Sequence, residues 1–227
     1  MKETGQLIAM GGGVWVVAKQ FTNEEFTAVS RMAVLALSGE RVVLHSPVAL
    51  DPGLQQEVAK LGMVAAIIAP NRWHHQFAGA WQQAFPEALL FGCASLVEAR
   101  PDLALDQVLH DAPPALWAGE IDQVAVQGLP TDEFVFFHRK SRTILIADLA
   151  FNYTPAQAAL DPGAAAGLGL HERHRCTISD ANALAQTIEK ILQWDFDRIV
   201  VSHGEVVTRN GLEAFAAGFA FLQRARP

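Results

Sequence analysis

Cysteine, tyrosine and clustered basic residues are what this chain has least of. It carries two cysteines, Cys93 and Cys176, and one tyrosine, Tyr153, among 227 residues. The cysteines lie far apart and form no CxxC, so they are read as reduced core thiols and not as a disulfide or redox pair. Lys and Arg number 17 against 24 Asp and Glu, a formal net charge of -7. No stretch gathers the cations, which argues against a nucleic-acid surface; a neutral or cationic small molecule is the better match. No run of about 18 apolar residues occurs, so no membrane span is expected. The opening "MKETGQLIAMGGGVWVV" lacks the pattern of a secretory signal, and the expected compartment is the cytoplasm. No Gly/Ser/Pro-rich linker divides the chain. With 51% hydrophobic residues, one α/β domain spanning residues 1–227 is predicted.

What is present is an alternation of buried strands and short helices. Strands are expected at 14–18, at 32–37 and at Arg41–His45, the last two joined by "SGE". "DPGLQQEVAKLG" has a helix start at Asp51 and Pro52 and a stop at Gly62. A strand at 64–69, a helix through Phe85, the strand "EALLFG" and a short helix in "CASLVEARP" follow. From Ile121 the pattern restarts with the strands "QVAVQG", "EFVFFH" and "RTILIAD". Residues 149–175 are poor in strand signals. "SDANALAQTIEKILQW" reads as an amphipathic helix, "RIVVSHGE" as a buried strand, and "NGLEAFAAGFAFLQR" as one closing helix. Two such units predict two mixed β-sheets packed face to face with helices outside, a four-layer αββα sandwich.

Four of these strands end in a polar side chain that can ligate a metal or move a proton: His45, the group Asn71/His74/His75, Asp148 and His203. Burying so many titratable groups costs free energy unless they pair or bind a metal. Neutral imidazoles and a carboxylate are ordinary ligands for zinc, iron or manganese.

This pattern resembles the metallo-β-lactamase superfamily over about residues 14–204. In that family one strand ends in HxHxDHxGG, a later one in a metal-bridging Asp, and a late one in a His followed by Gly. "TILIADL" and "IVVSHGE" are similar to the last two, so the resemblance implies Asp148 and His203 as ligands. "NRWHHQFAG", laid over the first motif by its spacing to the final glycine, puts Asn71 and Trp73 at the first two His positions. His75 then falls at the Asp, Gln76 at the last His, and His74 at a position without a ligand. "VVLHSP" occupies the place of the family's "LIDTG", which brings His45 near the site. The "GHT"-like turn has no counterpart, since "QGLPTDEF" stands there with Asp132 and Glu133. The resemblance thus implies a reduced centre of one zinc or iron ion on His75, Asp148 and His203, with His45 or His74 completing the shell. His74 and His45 are the catalytic candidates, and Asn71, Trp73 and Gln76 the possible lining. The implied activity is hydrolysis of a small ester, lactone or thioester by a metal-activated water. The alternative is a catalytically silent protein of the same fold that binds a small ligand or partner, suggested by the amide and indole in ligand positions.

Other candidates carry less. His171 and His174 have i, i+3 spacing and are read as a solvated helix face. His138 is read as structural or surface and "FHRKSR" as a solvated hairpin tip. "GGG" at 11–13 lacks GxGxxG spacing and reads as a flexible lead-in to the first strand. "SHGE" lacks a serine-hydrolase elbow.

Overall fold

The computed structural model describes residues 5–22 and 27–223. Arg224, the last residue of the predicted closing helix, lies outside them. In chain order, β1 (Ile8–Gly11), β2 (Val14–Thr22), β3 (Thr27–Leu37) and β4 (Arg41–His45) form an antiparallel meander. Then α1 (Pro52–Ala59), β5 (Met63–Ala69), α2 (Ala78–Ala84), β6 (Leu89–Gly92), α3 (Ser95–Ala99) and β7 (Gln107–Val108) extend the same sheet with parallel strands. The second sheet opens with β8 (Ile121–Ala125), β9 (Phe134–His138) and β10 (Thr143–Ile146). An excursion follows through β11 (Phe151–Tyr153), α4 (Pro155–Ala158), β12 (Gly167–Gly169), α5 (Glu172–Arg175) and α6 (Ala181–Ile191). The chain then returns as β13 (Arg198–Val201), which pairs in parallel with β10, before α7 (Gly211–Gly218) and α8 (Ala220–Gln223). The sheets therefore run β1-β2-β3-β4-β5-β6-β7 and β13-β10-β9-β8, with β11 and β12 as a separate two-stranded ribbon.

Alternation along the strands sends side chains to two faces, and each face finds a separate core. Val16, Leu35 and Ile68 from the first sheet meet Phe136, Leu145 and Val200 from the second in the layer between the sheets. Val34, Leu44 and Ile67 point the other way and pack under Leu54 of α1 and Trp81 of α2. Val135, Ile144 and Val201 pack under Leu184 and Ile188 of α6 and Phe215 of α7. Helix, sheet, sheet, helix is the resulting order. The caps that the sequence suggested are in place: Asp51 accepts from Leu54 N at 2.9 Å, and Asp180 accepts from Asn182 N and Ala183 N at 3.0 Å.

Several expectations are corrected. Residues 11–13 are an ordered hairpin turn between β1 and β2, with φ of 80, 66 and 84° that glycine alone adopts freely. The Arg198 guanidinium donates to the Met10 and Gly11 carbonyls and holds that turn. The 149–175 region contains β11 and β12, whose three-residue length leaves no readable alternation. The closing helix breaks at Phe219, whose backbone leaves helical geometry while its ring stays buried. Cys93 is a buried thiol as expected, but Cys176 is exposed. His138 is buried, bonded to Ala36 O at 3.0 Å and to Ser141 Oγ at 2.7 Å, and is structural.

A second, buried arginine also joins the two sheets. Arg31, buried in β3, donates to Val201 O and, at 2.8 Å, to Gly204 O, the carbonyls on either side of His203. Burial pushes its guanidinium down to about 10, against the pull of Glu205, and it remains a cation at neutral pH. Gly204 permits the close approach. At φ +91° a Cβ there would stand 2.1 Å from Asn152 O, where the chain bridges to β11. Arg31→Met keeps the aliphatic stem but strands two buried carbonyls, each costing about 1–3 kcal/mol. We expect the urea midpoint to fall with the slope m unchanged; an unaltered midpoint would show the clamp contributes nothing.

Candidate metal centre

The parallel pairs β4/β5 and β10/β13 present their C-terminal ends at the edge where the two sheets meet, the usual place for a site in sheets of this kind. β4 releases Ser46, β5 releases Asn71, β10 releases Asp148 and β13 releases His203. Pro70 O accepts from Phe134 N at 2.9 Å and ties the end of β5 to the start of β9.

Asn71 shapes the loop that follows. Its buried Oδ1 accepts from Trp73 N at 2.9 Å and His74 N at 2.8 Å, a side-chain mimic of a turn. Its Nδ2 donates to Asp148 Oδ2 at 2.7 Å and reaches Glu133 Oε2 at 3.3 Å. Glu133 in turn accepts from Ala147 N and Asp148 N, both at 2.9 Å. Burial and then the adjacent Asp148 push the Glu133 carboxyl up to about 7.

Three donor groups converge beside this network. His74 Nε2 lies 3.2 Å from Asp148 Oδ2 and 3.3 Å from His203 Nε2, and His203 Nε2 lies 3.5 Å from Asp148 Oδ1. Ligands at about 2 Å in a tetrahedral shell stand about 3.3 Å apart, so this spacing matches that of a metal's ligands. The rings are held from behind. His203 Nδ1 faces Val29 O at 3.0 Å, and since a carbonyl can only accept, that nitrogen carries the proton and Nε2 the lone pair of the neutral ring. His74 Nδ1 lies 2.7 Å from Ser46 Oγ, a hydroxyl that serves either tautomer, and Ser202 Oγ donates to Ser46 Oγ at 3.3 Å. Burial works to raise the Asp148 carboxyl, but His74 and His203 outweigh it and hold the group well below the usual carboxylate range. A carboxylate held that low is ionised at neutral pH, the form a cation needs. The donor set therefore fits a divalent metal.

The structure thus brings Asp148 and His203 together, but with His74 and not His75. Asn71 fixes the turn so that His74 faces inward. His75 lies outside the cluster, half-buried, with Nδ1 lacking a partner and its ring pushed down by burial and by Arg100. Spacing to Gly79 did not distinguish the inward ring, His74, from its neighbour His75. His45 does not line the cleft over the cluster: its ring is buried edge-on against Phe136 at 5.3 Å, with Nε2 lacking a partner. Trp73 and Gln76 line the rim of that cleft. His171 and His174 are both buried, against the expectation of a solvated face. His171 is bonded to Asp161 at 3.3 Å, and His174 lies in the cleft wall. Ser46, Glu133 and Phe151, whose ring stacks on His203 at 5.1 Å and 13°, were not recognised from sequence as parts of the site.

The cleft has a volume of about 820 Å³ with His74, Asp148 and His203 on its floor. Ser46, His74 and Asp148 have the connectivity of a nucleophile–base–acid triad. Ser46 is fully buried and does not line the cleft, so its hydroxyl orients His74 and does not attack substrate.

No family model matches the sequence, and no curated protein does. Solved structures match closely in shape. The DIM-1 metallo-β-lactamase superposes with a TM-score of 0.70 at 11% identity, covering 97% of this chain and 98% of that one. The FIM-1 metallo-β-lactamase from Pseudomonas aeruginosa, solved in its mono-zinc form, gives 0.67 at 12% identity over 97% and 95%. A structure named for diflavin flavoprotein A 5 from Nostoc sp. gives 0.70 at 14% identity, also over 97% and 95%. The chain has the metallo-β-lactamase fold; identities this low speak to the fold alone.

Burial, and then the neighbouring His74, push His45 down to about 3. The folded state therefore keeps it neutral while the unfolded chain binds a proton below about 6.5. The resulting stability is complete above that pH and is lost as pH falls toward 3, at about 1 kcal/mol per pH unit. His45→Gln should flatten the decline in unfolding free energy between pH 6 and 4 by about that slope. Parallel wild-type and variant curves would show that His45 does not contribute.

Proposed function

Proceeding from the metallo-β-lactamase fold, we propose that this chain is a metal-dependent hydrolase with a one-ion site on His74, Asp148 and His203, acting on a small ester, lactone or thioester. One observation carries the reading: two imidazole nitrogens 3.3 Å apart, each 3.2–3.5 Å from an oxygen of the Asp148 carboxylate, on the floor of a cleft. Two imidazole nitrogens and a carboxylate oxygen suit zinc or iron. The mono-zinc form in which FIM-1 was solved supports a single ion in this fold. When bound, such a cation supplies Lewis acidity, polarising the scissile carbonyl and acidifying water.

The protein's own residues set the geometry for that chemistry. Val29 O and Ser46 Oγ fix the two rings from behind, Asn71 holds one Asp148 oxygen, and Phe151 covers a face of His203 against water. A second reading, ligand binding without hydrolysis, is favoured by Asn71, an amide committed to hydrogen bonds where the family resemblance implies an imidazole.

Elemental analysis of protein expressed with supplementary zinc and iron decides between them. Near-stoichiometric metal is expected in the wild type, with loss of about 10-fold or more in His74→Ala, Asp148→Asn and His203→Ala, and no change in His75→Ala. If His75→Ala loses as much metal as His74→Ala, the ligand assignment is wrong; no metal under either supplement favours the binding protein. Ser46→Ala removes only the partner behind His74. It should weaken metal retention about 10-fold in chelator competition while leaving the fold intact. Unchanged retention would mean the hydroxyl does not orient the ring.

A further inference from the structure

We infer that the cleft recognises a planar aromatic acyl compound, stacked against a wall made by Trp73, His174 and Phe151; this rests on the hydrolase reading and names its substrate class. The wall is continuous from rim to floor. Trp73 contacts His174 at a centroid distance of 5.5 Å, His174 stacks on Phe151 at 5.7 Å and 22°, and Phe151 stacks on His203 at 5.1 Å and 13°. An aromatic side chain gains more from an adjoining ring, met face-on or edge to face, than from a saturated group of the same bulk. Trp73 is 41% exposed beside this ladder, with Arg72 5.7 Å from its ring centroid. Across the same cleft, Phe21 and Phe77 meet edge to face at 6.4 Å.

Charge narrows the class further. Among the described residues the one Lys or Arg in the lining is Arg173, which faces Asp161 at 3.8 Å, while Asp148 and Asp161 both border the space. With Asp148 engaged by the cation, a polyphosphate or nucleic acid would meet the Asp161 carboxylate and an arginine already matched to it. A neutral aromatic ester or thioester meets rings on its flank and the donor cluster at its carbonyl. A cleft of about 820 Å³ lies within the common range for small-molecule sites and has room for a fused bicyclic ring.

Calorimetric titration with two neutral probes of equal skeleton, 2-naphthamide and its fully saturated decahydro counterpart, tests this. Neither probe needs a metal to bind, and metal content is measured on the same samples. The wild type should prefer the aromatic amide by about 10-fold. Trp73→Ala should reduce that preference toward unity and Trp73→Phe should keep most of it, which also shows that the site tolerates change at this exposed position. Equal affinities in the wild type, or a preference that survives Trp73→Ala, overturn the inference whatever the metal content. Aromatic preference in a protein that takes up no metal supports the wall and removes the hydrolase reading instead.

Discussion

The side chain of Asn71 is the contact on which the rest of the site depends. Its oxygen caps the backbone of Trp73 and His74, and its nitrogen holds Asp148 and Glu133. The same amide thus sets the path of the loop from the first sheet and the position of two carboxyl groups from the second. An imidazole in its place has no oxygen to accept those backbone N–H groups, and a carboxylate would face two others at close range without a donor. Asn71 also explains why His74 is the inward ring. The turn it closes leaves the next side chain, His75, on the outer side of the loop.

Around that amide the two sheets exchange polar contacts that an apolar core would not need. Phe134 N donates to Pro70 O, His203 Nδ1 to Val29 O, and Arg31 to the carbonyls flanking His203. Buried groups left unsatisfied would each cost as much as a lost hydrogen bond, so these pairings hold the sheet edges in one register. The consequence is a floor whose donor atoms are oriented from behind: the His203 ring by Val29 O of β3, the His74 ring by Ser46 at the exit of β4, and Asp148 by Asn71 at the exit of β5. Orientation of that kind is what sustains metal affinity.

The fold was legible where strands are long and both faces buried, because their apolar runs and the helix caps at Asp51 and Asp180 are local signals. β11 and β12 were not legible; at three residues each they owe their pairing to contacts with β13's exit loop and α7, not to any pattern of their own. Asp148 and His203 could be found because each ends a buried strand. His74 could not be told from His75, since the choice turns on a side-chain-to-backbone bond that spacing does not encode. Ser46 and Glu133 were missed for a related reason. One hides behind His74 and the other reaches the site through the backbone of Ala147 and Asp148, so neither ends a strand in the manner that marks a ligand.

The number of donors argues for one ion over two. Two cations bridged in a single centre call on about six protein ligands, even allowing for open positions. Among the described residues the cluster gathers three: His74, Asp148 and His203. Nearby, Glu133 is bonded to the backbone of β10's exit, His171 to Asp161, and His45 lies buried against Phe136, outside the cleft lining. Where the resemblance expects further imidazoles, the chain has an amide that organises the loop and an indole that faces the cleft. On the proposed reading, these replacements move binding capacity from the floor to the wall. That shift suits a site that grips an acyl compound by its ring and presents its carbonyl to a single cation.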